Sequence, residues 1–225
     1  MMIQTFFRSI ISRRCGRLAL GLVVAVAAGS VSAVEAQDSH LNPTDLESTS
    51  SGNVTQSATM AYHQGMRLLT QAAKASERAA EAETDKQREK LEKRSRSAYE
   101  GASKQFLNAL RQDSDVFDAY EPLGLAFRRL GRYQEALDIH AIALRRDEES
   151  MENFSGWAES LLELNMLGNA TQAYTSYAEA GSARAPILMD AIEKWLAAKE
   201  ADPGDMDPAN VERMADWIAE QSSSG

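Results

Sequence analysis

Residues Tyr120 to Tyr174 read YEPLGLAFRRLGRYQEALDIHAIALRRDEESMENFSGWAESLLELNMLGNATQAY. The stretch matches itself at a step of 34 residues. Tyr120 returns as Phe154, Gly124 as Ala158 and Phe127 as Leu161. Tyr133 returns as Leu167, Ala136 as Ala170 and His140 as Tyr174. One step upstream, Tyr99, Ala102 and Phe106 open the same series. Size and polarity kept at one period over several sets of positions mark similar units placed one after another, not composition bias. After residue 57 Gly and Pro are sparse, and Ala, Leu, Glu, Lys and Arg dominate. That composition favours helix, and no long Val/Ile/Thr alternation offers a sheet.

The period and residue types resemble the tetratricopeptide repeat, whose pattern is W-x2-L-G-x2-Y, then A-x3-F, then Pro. Here it reads Tyr120-x2-Leu123-Gly124-x2-Phe127, then Gly131-x-Tyr133 and Ala136-x3-His140. Phe154-x2-Trp157-Ala158-x2-Leu161 and Ala170-x3-Tyr174 follow. The resemblance is close over about residues 97–180. It departs at the terminal Pro, where Ser114, Glu148 and Ser182 stand; Pro186 comes four residues late, which points to a shifted junction after Gly181. The fold it implies is all-α, a right-handed α-solenoid of antiparallel helix pairs. Gly124 and Ala158 would face Ala136 and Ala170 where backbones approach, with Tyr120, Phe127, Phe154 and Trp157 between neighbouring pairs. No single pair can bury its apolar face, so the pairs must stack.

On either side the match holds only in outline. Ala61, Gly65, Leu68/Leu69, Ala72/Ala73, Ser76 and Ala79/Ala80 recur at helical spacing, and Thr84-Asp85 offers a cap for a second helix carrying Leu91, Tyr99, Ala102, Phe106 and Leu110. If Gly65 pairs with Ala102, this hairpin is longer than the others, so a long atypical first hairpin is expected over roughly 58–113. Lys86 to Arg96 holds six basic residues against Glu89 and Glu92, either a patch for an acidic partner or a solvated helix face. Beyond residue 180, Ile187 to Ala201 is amphipathic, and Asp207-Pro208 starts a last helix with Val211, Met214 and Trp217/Ile218 inward. Its polar outer face suits a C-terminal capping pair.

The N-terminus has to be set apart from the fold. Met1 to Arg17 holds four arginines and no acid, and Leu18 to Gly29 reads LALGLVVAVAAG before Val31-Ser32-Ala33 and Val34-Glu35-Ala36. Basic start, apolar run and small residues in that order describe a secretory signal peptide cut after Ala33 or Ala36. The competing readings are a transit peptide, disfavoured by the uninterrupted apolar run, and an uncleaved anchor, because Leu18 to Val34 is just long enough to span. The expected organisation is a signal peptide over 1–36, a flexible linker over 37–57 and a helical domain over 58–221, with units at about 58–116, 117–150, 151–184 and 185–221. The product is then exported, periplasmic or extracellular, or else membrane-anchored by an uncleaved signal. Cys15 lies inside the signal, so the mature chain has no thiol chemistry. Removing residues 1–36 leaves 20 basic against 32 acidic side chains. A net charge of −12 repels nucleic acid and anionic membranes.

No metal-binding His/Cys pattern, phosphate loop or nucleophile motif occurs, so no enzyme, cofactor or metal is expected. His140 reads as a packed histidine. The resemblance instead implies a concave groove lined by first helices, which would bind a protein or peptide partner. Its outward residues would be Glu121, Leu125, Arg128 and Arg129, then Ser155, Glu159, Leu162 and Glu163. Arg128 and Arg129 would either grip an acidic or C-terminal group or pair with Glu159 and Glu163. A second reading makes the chain a self-associating structural module, a homo-oligomer joined through the long first hairpin by the small-residue stripe from Ala72 to Ala82.

Overall fold

The computed structural model describes residues 56–223. The expected signal peptide and its alternatives, Cys15, and the linker up to Thr55 lie outside the described residues. Gln56 and Ser57, assigned above to the linker, already belong to the first helix.

Eight α-helices follow one another, with no strand among the described residues: α1 Gln56–Ala80, α2 Asp85–Gln112, α3 Tyr120–Arg129, α4 Tyr133–Arg146, α5 Met151–Glu163, α6 Leu167–Glu179, α7 Arg184–Ala201 and α8 Pro208–Ser223. A single 3-10 turn, Phe117–Ala119, leads into α3. The chain is therefore all-helical. The principal packings join elements one or two apart in order: α1 with α2, α2 with α3, α3 with α4 and α5, α4 with α5, α5 with α6 and α7, α6 with α7, and α7 with α8.

Caps explain where the helices begin. The Thr84 hydroxyl accepts the Gln87 N–H at 3.3 Å and starts α2. Ser150 does the same for Asn153 N–H at 3.3 Å in α5. Asp207 accepts the Ala209 N–H at 3.0 Å ahead of Pro208 in α8. Helix α7 starts three residues before the amphipathic run read from the sequence, because the Ser182 hydroxyl accepts the Arg184 N–H at 3.2 Å. Pro186 fits inside the first turn, where its missing N–H would have had no partner.

The helix ends repeat at the 34-residue step too. Arg132 N–H reaches back to Phe127 C=O at 2.9 Å around Gly131, whose φ is +75°. Met166 N–H reaches Leu161 C=O at 3.1 Å around Asn165, at φ +58°. This six-to-one bond closes a helix only if one residue turns left-handed, which Gly and Asn tolerate best. Asp113 and Asp147, also 34 apart, leave α2 and α4 in extended conformation, and each carboxylate accepts the N–H two residues on, at 3.0 and 3.1 Å. These carboxylate turns end the helices where the repeat pattern would have a Pro nearby.

The first two helices form a hairpin of about 37 and 42 Å at 1.5 Å per residue. Ala61, Gly65, Ala72, Ala75 and Ala79 are buried along α1, and the Ser95 hydroxyl donates to Ala72 C=O at 2.9 Å. The expectation that the stripe from Ala72 to Ala82 would be free for another subunit needs correction. Its buried members, Ala72, Ala75 and Ala79, are consumed within the hairpin, because close packing of α1 on α2 demands small residues there. The core shared with α3 reaches outward only to Ala72, Ala98 and Tyr99. Farther out, the hairpin packs on itself.

Two core clusters fill the rest, and α4 serves both. Ala136, Ile139, Ile142 and Ala143 face α2 and α3 with Phe106, Tyr120 and Phe127. Leu137 and Leu144 face the side of α5 to α8, with Phe154, Trp157, Leu188 and Ile192. Burial on two sides leaves α4 eight buried residues out of 14.

Candidate functional site

A groove of about 550 Å³ runs across α3, α5 and α7. Seven of the eight residues expected from the sequence line it: Leu125, Arg128, Arg129, Ser155, Glu159, Leu162 and Glu163. They lie on consecutive turns of α3 and α5, so the helical step alone brings them to one face. Glu121 does not line the groove. It is half-buried one turn earlier, and burial pushes its carboxyl above the usual range while Arg128 pulls it back and Glu152 adds to the rise. Leu162 is not outward-facing as expected: it is fully buried and forms the groove floor, because α7 closes over it.

The third wall was not anticipated as a wall. Helix α7 contributes Asp190, Ala191, Lys194, Trp195 and Ala198, and Tyr133 joins from α4. Trp195 is a core residue at 5% exposure that still borders the groove. Amphipathicity reports burial but not which partner helix leaves a gap.

Charge in the groove is largely matched internally. Arg128 pairs with Glu159, and Ser155 Oγ donates to the same carboxylate at 3.4 Å. Glu163 is held by Lys199 Nζ at 3.3 Å, from α7 and not by Arg129. Lys194 and Asp190 pair at 2.8 Å along α7. Arg129 has no ion-pair partner among the described residues. Two donors in the groove wall also lack hydrogen-bond partners, Trp195 Nε1–H and Arg128 Nε–H. Both atoms are buried from solvent, and a buried donor left unsatisfied costs about 1–3 kcal/mol.

Beneath the groove His140 occupies the middle of the fold at 1% exposure. Its Nδ1–H donates to Asn153 Oδ1 at 3.1 Å, and Asn153 Nδ2 donates to Ser150 Oγ at 2.9 Å. Asn153, part of a glycosylation-type triplet with Ser155, is thus buried and committed to the core. His140 Nε2 has no partner. A Cβ on Gly124 or on Gly156 would stand 2.3 Å from that nitrogen, so the ring fits only because both neighbours are glycine. The space beside Gly124 is therefore filled by His140, one turn beyond the Ala136 expected there. Gly65 relates to Phe106, 34 residues before His140, in the same way, its missing Cβ lying 2.6 Å from the ring. Burial, with a smaller contribution from Arg128, lowers the His140 value to about 4 against the hydrogen bond it donates to Asn153.

Arg184 escaped the sequence reading altogether. It is 6% exposed, with its guanidinium 5.1 Å from the Phe154 ring and 5.7 Å from that of Tyr177, and no ion-pair partner among the described residues. The two ring faces stand in for a carboxylate. Among the described residues no cluster of His, Cys, Asp and Glu could hold a metal ion, and no helix is long and apolar enough to cross a membrane. No protein-family model matches the chain, and neither a curated protein nor a solved structure matches it.

Proposed function

We propose that the protein is a non-enzymatic scaffold whose helix pairs stack as a right-handed, tetratricopeptide-like solenoid and whose groove across α3, α5 and α7 binds a protein or peptide partner. The observation that carries this reading is the groove itself. Leu162 floors it, Leu125 edges it, and on its rim the exposed Arg129 has no ion-pair partner among the described residues. A peptide supplies what that rim lacks, an apolar side chain against Leu125 and a carboxylate for Arg129. The N-terminal signal reading places this binding outside the cytoplasm, in the cell envelope or beyond it, with a role in assembly there and with no nucleic-acid partner.

Affinity capture from the native envelope extract tests the reading. Arg129→Glu/Lys194→Glu changes two groove-rim charges without touching the core, and circular dichroism verifies that the variant is folded. A protein retained by the wild type and lost by the variant identifies the partner. Equal recovery by both refutes the groove assignment.

A further inference from the structure

Charge is divided unequally along the fold. Over residues 56–112, the first hairpin, basic side chains outnumber acidic ones 11 to 7. Over residues 113–223 the balance is 9 to 22. A net +4 hairpin is thus carried by a body of net −13. The hairpin is about 40 Å long, while charges in physiological salt are felt over about 8 Å. The basic groups toward the tip of the hairpin, from Lys74 to Arg94, therefore lie beyond the screening reach of the acidic body, while those of the second half of α2 abut it.

The positive charge is also concentrated where a segment can sit. A cleft of about 530 Å³ lies between α2 and the turn from α3 to α4. Arg96, Lys104 and Arg111 line it from α2, and Arg132 lines it from the turn; Glu100 is the one acid among its lining residues. Arg132 pairs with Glu135 and stacks on Phe127 at 4.4 Å. Arg96, Lys104 and Arg111 have no ion-pair partner among the described residues, although Glu92 and Glu100 are spaced for helix pairs with Arg96, and Glu100 with Lys104. Leu107 and Leu130 give the cleft an apolar base.

The opposite pole is the last helix pair. Residues 202–223 carry six acids and one base. The connecting turn, residues 202–207, exposes Asp202, Asp205 and Asp207. Asp202 and Asp207 are occupied by the N–H groups of Gly204 and Ala209, at 3.1 and 3.0 Å, which hold the turn in shape and leave Asp205 at its tip. Because the principal packings join only elements one or two apart, the basic pair and the acidic pair belong to opposite ends of the stacking order.

We infer that the chain associates head to tail with a second copy of itself, the basic cleft of α2 in one molecule receiving the acidic turn between α7 and α8 of the next. The contact is heterologous, so each bound copy leaves one free cleft and one free turn, and growth continues unless the rotation closes a ring. The association is electrostatic and salt-sensitive, since both surfaces are exposed. It is separate from the groove, so groove variants leave it intact.

Sedimentation equilibrium on the full chain tests this, with salt varied between roughly 0.05 and 0.5 M. The expected result is a mass that grows with protein concentration at low salt and returns to the 24.7 kDa of one chain at high salt. Arg96→Glu/Arg111→Glu and Asp205→Lys/Glu212→Lys are each expected to remain monomeric, because one pole is reversed in each and all four positions are off the core. Mixed together they are expected to associate again, because an intact cleft in one meets an intact turn in the other. A wild type that is monomeric at low salt, an association insensitive to salt, or a cleft variant that still assembles alone overturns the inference. So does a hairpin that binds vesicles containing anionic lipid while the chain stays monomeric, since the cleft would then serve a membrane surface.

Discussion

Acid should loosen this fold through one side chain. His140 is neutral in the folded protein, held to about 4 chiefly by burial, whereas an unfolded histidine titrates near 6.5. Between those values the unfolded chain binds a proton that the folded chain refuses. Stability is therefore fully present above about pH 6.5 and falls as the pH drops towards 4. At about 1.4 kcal/mol per pH unit, the separation is worth about 3 kcal/mol at pH 4 and about 2 kcal/mol at pH 5. That is a sizeable fraction of the stability of a domain this size. The groups that face the ring are Asn153, which favours the proton, and Arg128, which opposes it; neither offers Nε2 an acceptor. Urea unfolding followed by circular dichroism at pH 8, 6.5, 5 and 4 measures the loss, with His140→Phe as the reference. A phenyl ring at this register is already accepted by Gly65 through Phe106, so the variant keeps the shape, and the unpaired Asn153 lowers its stability equally at every pH. The stability difference between wild type and variant should shrink by about 3 kcal/mol from pH 8 to pH 4. Carboxylate titration cancels in that difference. Parallel pH profiles for the two proteins would refute the assignment of a buried, unprotonated His140.

The glycines around that ring make a second test. Gly156→Ala should cost about 1–3 kcal/mol in urea unfolding by driving a Cβ into Nε2, and adding His140→Ala should remove most of that cost, a strongly non-additive pair. Asn165→Ala should lose about 1 kcal/mol because its φ of +58° disfavours a Cβ, while Asn165→Gly should be neutral or slightly stabilising by the same assay. Arg184→Met keeps the stem and deletes the cation between Phe154 and Tyr177, and should lower the unfolding free energy by about 1–2 kcal/mol, independently of salt because the site is desolvated.

The helices were readable before any coordinates because their signals are local. Thr84 caps α2 and Asp207-Pro208 starts α8 as their side-chain chemistry requires. Ala72 and Ala79 lie on the inner face that their spacing indicates. Leu125, Arg128 and Arg129 fall on one face of α3 for the same reason. Misreadings arose where a second element decides the outcome. Leu162 looks outward on α5 until α7 covers it, and Lys199 takes Glu163 from a distance of 36 residues. Arg184 looks like a solvent residue until Phe154 and Tyr177 close over it.

By itself, then, the sequence determined the helical class, the 34-residue periodicity and where most helices start, because capping, propensity and apolar spacing act over a few residues. Only the tertiary structure decided that α7 walls the groove, that the alanines of α1 are used up within the hairpin, and that His140 sits between two glycines with Nε2 unmatched. Those outcomes depend on how closely helices distant in the chain approach one another, a distance that no local pattern encodes.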